Sequence, residues 1–236
     1  MDSTFDPPPP YSSTPNFPEQ ETLPPTTFIL SNKSIHTETA PSTPLYQISQ
    51  DISILPQKFT SVKFERIETI APLKPESQSP EPQRKHIFYL AHPAHAQYRK
   101  DVPAYYITSV SLGSLGNIRF EMNKSRFQKV EFRALMSPGK TMADKPLFCD
   151  DAETLLFSAK MKWTGGGYRW TDTWGQEVAF EGGKGEGLKL VITASMNQDM
   201  RDALVALWVL RAWSDTAESS EAKADGELTF HIRILL

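Results

Sequence analysis

From Ala203 to Leu210 the chain reads ALVALWVL, with no polar residue, and Trp213 follows one turn later. A helix on a protein surface needs a polar face. None is available here, so Gln198 to Trp213 (QDMRDALVALWVLRAW) is predicted to be a helix sheathed by protein on nearly all sides. Its expected core residues are Leu204, Leu207, Trp208 and Leu210. At ~1.5 Å per residue the segment is ~24 Å long. A membrane span needs about 20 apolar residues, and Asp199, Arg201, Asp202 and Arg211 close this one at both ends.

The rest of the pattern is β. Short strands are predicted at Thr27 to Leu30, Ser34 to Thr37 and Leu45 to Ile48, the first two joined by a turn at Ser31-Asn32-Lys33. Val62 and Phe64 point one way and Ile67 falls out of phase, which predicts a bulged strand. Ala71 to Lys85 (APLKPESQSPEPQRK) reads as a polar, proline-rich loop. His86 to Ala91, Tyr105 to Val110, Ile118 to Met122 and Phe127 to Met136 read as strands. In the last of these Val130, Phe132, Ala134 and Met136 share a face. Leu155 to Trp163 alternates most regularly, with Leu155, Phe157, Ala159, Met161 and Trp163 inward and Leu156 outward. Gly165-Gly166-Gly167 then turns the chain into Tyr168 to Thr171. Glu177 to Phe180 and Leu188 to Ala194 follow. After the helix, Ser214 to Gly226 reads as a polar loop and Glu227 to Leu236 as a closing strand, with Leu228, Phe230, Ile232 and Ile234 on one face.

About a dozen strands and one late helix cannot build βαβ units. A closed sheet disposes of exposed strand edges and gives the apolar helix a lining. The expected fold is therefore mainly β: a closed antiparallel barrel of about twelve strands around one central hydrophobic helix near the C-terminus.

Length and composition agree. The chain has 236 residues, 39% hydrophobic and 22% charged, which suits one domain plus a tail. Met1 to Pro25 is rich in Pro, Ser and Thr and is expected to be disordered, leaving 26–236 as the barrel domain. The net charge of −3 argues against a nucleic-acid partner, which usually selects a basic domain. One cysteine, Cys149, excludes an intrachain disulfide framework or a cysteine zinc site. The first residues, MDSTFDPPPP, show no basic or apolar leader, so an intracellular, cytoplasmic setting is expected. The triplets Asn32-Lys33-Ser34 and Asn123-Lys124-Ser125 then read as chance glycosylation matches.

The strand-rich segment KWTGGGYRWTDTWG, the stretch LKLVITA and the helix ALVALWVLRAW together resemble the tubby-like barrel superfamily. That superfamily includes the tubby C-terminal domain, the LURP-one-related proteins and the phospholipid scramblases; the likeness is nearest to fungal proteins with a tubby C-terminal-like domain. It spans roughly Thr26 to Leu236. It implies a twelve-stranded barrel around a hydrophobic helix. The strand read after the helix places the chain nearer the LURP-one branch, since in tubby proper the helix ends the chain. Tubby's phosphoinositide-binding residues have no position-by-position match here and are not carried over.

Pro8-Pro9-Pro10-Tyr11 matches PPxY, a ligand motif of WW domains. Prolines pre-set a polyproline II helix, so docking in an aromatic groove costs little ordering. Pro8, Pro9 and Tyr11 are the candidate contacts, and a HECT-type ubiquitin ligase is the expected class of partner. A generic proline-rich tail is the alternative. Phospholipid scramblases also carry proline-rich N-terminal tails. Lys124, Arg126, Lys129 and Arg133 form a modest basic run and are the candidates for holding a lipid phosphate. The favoured reading of the run is a solvated outer strand face, with Glu131 in its middle.

Other patterns carry less. Ala134 to Thr141 (ALMSPGKT) approximates the end of a phosphate-binding loop but lacks the first glycine and a following helix. Gly182 to Gly187 (GGKGEG) runs into a strand. His92 and His95 lack further ligands at metal-binding spacing, and no metal or cofactor is expected. Cys149 sits beside Asp150 and Asp151, which disfavour a thiolate. Thr14, Thr43, Ser79 and Ser137 each precede a proline and match minimal phosphorylation sites. No catalytic constellation stands out. The expectation is a non-enzymatic binding or adaptor module whose barrel contacts a peripheral membrane lipid or a protein. The alternatives are a membrane-active, scramblase-like protein and an enzyme with a pocket at the barrel mouth.

Overall fold

The computed structural model describes residues 21–55, 60–69, 82–93, 103–110, 115–123, 131–139, 147–149, 152–162, 166–182 and 187–234. Twelve of the strands formed by these residues close into one antiparallel barrel. They are β2 (Thr26–Ser31), β3 (Ser34–Thr37), β4 (Ala40–Ile48), β5 (Ser61–Thr69), β6 (Pro82–Ala91), β7 (Tyr105–Ser109), β8 (Ile118–Asn123), β9 (Glu131–Met136), β10 (Thr154–Met161), β11 (Tyr168–Thr171), β12 (Glu177–Gly182) and β13 (Leu188–Ile192). Each pairs with its neighbours in sequence, and β13 closes on β2 with Leu190 opposite Phe28. A small separate sheet joins β1 (Thr22–Leu23) to β14 (Met196–Asn197). β1 lies within the stretch read as tail, and Arg201 binds the Pro24 carbonyl beside it.

The helix α1 (Gln198–Ile234) follows β14. Asn197 caps it by accepting the Met200 N–H at 2.9 Å, the usual role of a short polar side chain there. Ala203 through Leu210 are all 0% exposed. Eight consecutive buried residues cover every face of a helix at 3.6 residues per turn, so this segment fills the barrel. Leu204, Leu207, Trp208 and Leu210 pack into one core with Phe28, Phe64, Phe132 and Trp170 from the wall.

The turn Ser31-Asn32-Lys33 forms, with Asn32 at φ 53°, a left-handed value that asparagine tolerates. The bulge in β5 is present as a register shift against β6 between Phe64 and Glu65. β6 starts at Pro82, inside the stretch read as loop. β4 starts at Ala40, and its pairing with β3 slips around His36 and Pro44. Proline has no N–H to give the ladder. Phe127 to Val130, Trp163 and Gly165 lie outside the described residues.

Two expectations are corrected. Alternation places Leu156 outward and Met161 inward, yet Leu156 is buried and Met161 is 39% exposed. The register of β10 on β9 shifts between Leu155 and Phe157, and such a shift breaks strict alternation. The polar loop 214–226 and the closing strand at Glu227 do not form; α1 runs through to Ile234. Ser214 to Ala224 is rich in Ala and Glu, good helix formers that extend a helix already nucleated in the barrel. The apolar alternation of Leu228 to Ile234 also finds no free edge, because twelve strands already close the ring. The helix, not a strand, is the last element among the described residues.

The barrel has two rims. The α1 entry rim carries the β11–β12 and β3–β4 turns, β1 and β14, and the connections leaving β7 and β9. The opposite rim carries the connections that follow β4, β6, β10 and β12.

Candidate functional site

The buried charged groups gather at the two ends of the apolar part of α1. At the first end, Tyr46 of β4 and Arg66 of β5 are cross-strand partners, so phenol and guanidinium converge on one point. That point is the Asp202 carboxylate. Its Oδ1 accepts from the Tyr46 hydroxyl at 2.9 Å and from Gln198 Nε2 at 2.6 Å. Its Oδ2 pairs with Arg66 Nη1, and Arg66 also pairs with Glu68. Gln198 and Asp202 are one helical turn apart and share a face. Burial pushes Asp202 up to about 6, against the pull of Arg66 and the Tyr46 hydrogen bond. Burial, then the neighbouring Asp202 charge, raises the Tyr46 phenol well above its ordinary value. The Arg66 hydrogen bond holds Glu68 below the usual carboxylate range.

At the second end, Glu181 of β12 accepts from Trp170 Nε1 at 3.0 Å and from Arg211 Nε at 2.6 Å, both at Oε1. The Arg211 guanidinium also pairs with Asp215 and lies 4.5 Å over the Tyr168 ring. Burial pushes Glu181 up to about 7 in spite of the adjacent Arg211. The Tyr168 phenol is pushed up to about 12, again chiefly by burial. These carboxylates and guanidiniums are committed to one another, an arrangement that ties the helix to the barrel wall.

The signal for these clusters was present in the sequence. Asp202 and Arg211 flank an apolar run, and a charge carried into a core requires a partner. Nothing in the spacing indicated that the partners would be Arg66 and Glu181.

His92 stacks on Tyr105 at 4.3 Å and meets Trp213 edge-on at 6.0 Å. Its Nδ1 lies 2.8 Å from the Ala104 carbonyl; a carbonyl only accepts, so Nδ1 carries the proton. His95 lies outside the described residues. Among the described residues no group of three His, Cys, Asp or Glu is arranged to hold a metal.

Pro8, Pro9 and Tyr11 lie outside the described residues, as do Lys124, Arg126 and Lys129. Arg133 is half-buried on β9, opposite Ser158 of β10 and Glu121 of β8. In the ALMSPGKT stretch, Ala134 to Met136 belong to β9, so their backbone serves the ladder and not an anion; Lys140 and Thr141 are outside the described residues. Ser137 is 1% exposed, and its hydroxyl accepts the Cys149 N–H at 3.0 Å. That burial removes it from the phosphorylation candidates; Thr43 is exposed, and Thr14 and Ser79 are outside the described residues.

The sequence reading missed a polar hub on the α1 entry rim. The fully buried Asn117 accepts the Ser109 N–H at 3.0 Å and donates to the Leu147 carbonyl at 3.2 Å. Its own carbonyl accepts the Ser137 N–H at 2.7 Å. The preceding Gly116 admits no side chain, because a Cβ there would sit 1.9 Å from the Ser137 carbonyl oxygen.

The β11–β12 turn on the same rim carries Trp174, 84% exposed. Asp172 Oδ1 accepts the N–H groups of Trp174 and Gln176, both at 2.9 Å, and Asp172 N–H closes onto the Gln176 carbonyl at 3.0 Å. Gly175 takes φ 77°, completing the turn. No helix among the described residues is long and apolar enough to cross a membrane. No protein-family model, curated protein or solved structure matches this chain.

Proposed function

We propose that this chain is a non-enzymatic binding or adaptor module built on a tubby-like barrel. Its barrel contacts a membrane lipid or a protein, and its proline-rich N-terminal segment recruits a WW-domain protein. The observation that carries the reading is the fixing of α1 by buried ion pairs at both ends of its apolar run. A helix so anchored supports a rigid scaffold that displays its loops and tail. It weighs against the scramblase-like alternative, in which the helix would have to leave the barrel, breaking both pairs and baring ALVALWVL. The enzyme alternative is weakened because both perturbed carboxylates are paired with arginines, Glu181 with the buried Arg211 and Asp202 with the half-buried Arg66.

The closed twelve-stranded ring with α1 as its filling is compatible with the tubby-like superfamily. Flotation with liposomes tests the lipid contact. Salt-sensitive or peripheral binding fits the module, and association that resists carbonate extraction favours the inserted helix. Titration of residues 1–25 against WW domains of HECT-type ligases tests the tail. Loss of binding in Tyr11→Ala is expected, and equal binding by both peptides would end that half of the reading.

A further inference from the structure

We infer that the β11–β12 turn is the part of the barrel that meets a bilayer, with the Trp174 indole seated at the level of the lipid headgroups. This rests on the lipid-contacting reading above and gives it a location: the α1 entry rim, not the basic strand face.

Large aromatics are seldom left bare. Trp170, Trp208 and Trp213 are buried in this protein, whereas Trp174 is 84% exposed. The turn that holds it is closed by four hydrogen bonds around Asp172, so the indole is presented by a defined turn. Asp172 is the one charged residue between Thr171 and Gln176, and its Oδ1 is occupied by two backbone N–H groups of the turn. The tip Thr173-Trp174-Gly175 carries no charge, so bringing it to a membrane strips no ion of water.

A protein hot spot needs neighbours that exclude water around the anchor. Of the other large apolar side chains exposed among the described residues, Ile54, Met161 and Leu188 belong to the opposite rim, and Val110 alone shares this one. A solitary indole, apolar in body and polar at its N–H, suits the bilayer interface, where tryptophan is enriched. Among the described residues of the strands flanking this turn, Lys160 pairs with Glu131, Arg169 with Glu177 and Lys189 with Glu38. The proposed contact is led by the indole, with anionic lipid secondary.

Co-sedimentation of the full chain with phosphatidylcholine vesicles, with and without a minor share of phosphatidylserine, tests this. Wild type is expected to bind both, with a blue-shifted emission component that Trp174→Phe abolishes. Trp174→Ala is expected to weaken binding several-fold while keeping the wild-type circular dichroism spectrum. Wild-type binding that Trp174→Ala leaves unchanged overturns this inference and spares the lipid-contacting reading. Absence of binding by wild type to either vesicle overturns both.

Discussion

Asp202 and Arg211 project from opposite faces of α1. They are nine residues apart, which at ~100° per residue is two and a half turns. Their partners match: Asp202 meets Arg66 on β5, and Arg211 lies over Tyr168 on β11. Strands β5 and β11 are six places apart in a ring of twelve. The helix is therefore fixed in both height and rotation, each pin facing the wall across from the other.

Tyr46 and Asp202 form a buried hydrogen bond whose loss should be measurable. Tyr46→Phe is expected to cost about 1–2 kcal/mol, and Asp202→Ala more, about 3–5 kcal/mol, because Arg66 and the Tyr46 hydroxyl would lose their acceptor. In a double-mutant cycle by denaturant unfolding, the coupling should be on the order of 1–3 kcal/mol. Strict additivity would show that the two groups do not interact in solution.

Stability should fall as pH rises through neutrality, owing to Glu181 and Asp202. Both have folded-state values raised by burial, to about 7 and about 6. Between the unfolded and folded values the native state binds more protons than the unfolded chain. The stabilisation is complete below the unfolded carboxylate range, ~4, and is lost as pH climbs through the folded values. His86, lowered by burial, acts oppositely: its contribution is present above its ordinary value and lost as pH falls through the lowered one. Glu181→Gln isolates the first effect. Its stability relative to wild type should increase from pH 4 to pH 8, by on the order of 3 kcal/mol. A difference independent of pH would refute the assignment.

Leu207 is fully buried at the centre of the apolar run of α1. Leu207→Ala should cost about 2–5 kcal/mol through lost transfer energy and the cavity left behind. Thermal or denaturant unfolding reads this directly. A cost below about 1 kcal/mol would mean that the helix is not sheathed.

Gly116→Ala should destabilise by more than the few tenths typical of surface changes, since its Cβ would meet the Ser137 carbonyl at 1.9 Å. Hydrogen exchange should show the loss concentrated at Ser109, Asn117 and Ser137, whose amides share the hub. Uniform protection across these amides in the variant would contradict the hub.

Trp174→Ala should leave stability within about 0.5 kcal/mol of wild type, as expected for an exposed side chain. Asp172→Ala should do more, because it releases two turn N–H groups. Chemical denaturation of the two variants side by side checks the order.

Much of the fold was legible in local patterning. The unbroken apolar run from Ala203 to Leu210 required an all-round lining, and the alternation in β9 and the turn at Asn32 are local properties of pleat and backbone. The errors arose where context overrules local pattern. Leu228 to Ile234 alternates like a strand but continues a helix, because pairing needs a free edge and a closed ring offers none. Leu156 is buried because a register shift, invisible in one strand, is a relation between two. The candidate site was less legible. Tyr46 and Arg66 lie 156 and 136 residues from Asp202, and no local spacing announces a contact at that range.

The amino-acid order by itself determined that one segment must be enclosed and that strands must do the enclosing, since apolar periodicity depends only on near neighbours. Tertiary structure alone decided which carboxylate meets which guanidinium, which hydroxyl is shielded and which tryptophan stands in water. Those are properties of strand register and ring closure, which bring together side chains that the covalent chain keeps far apart.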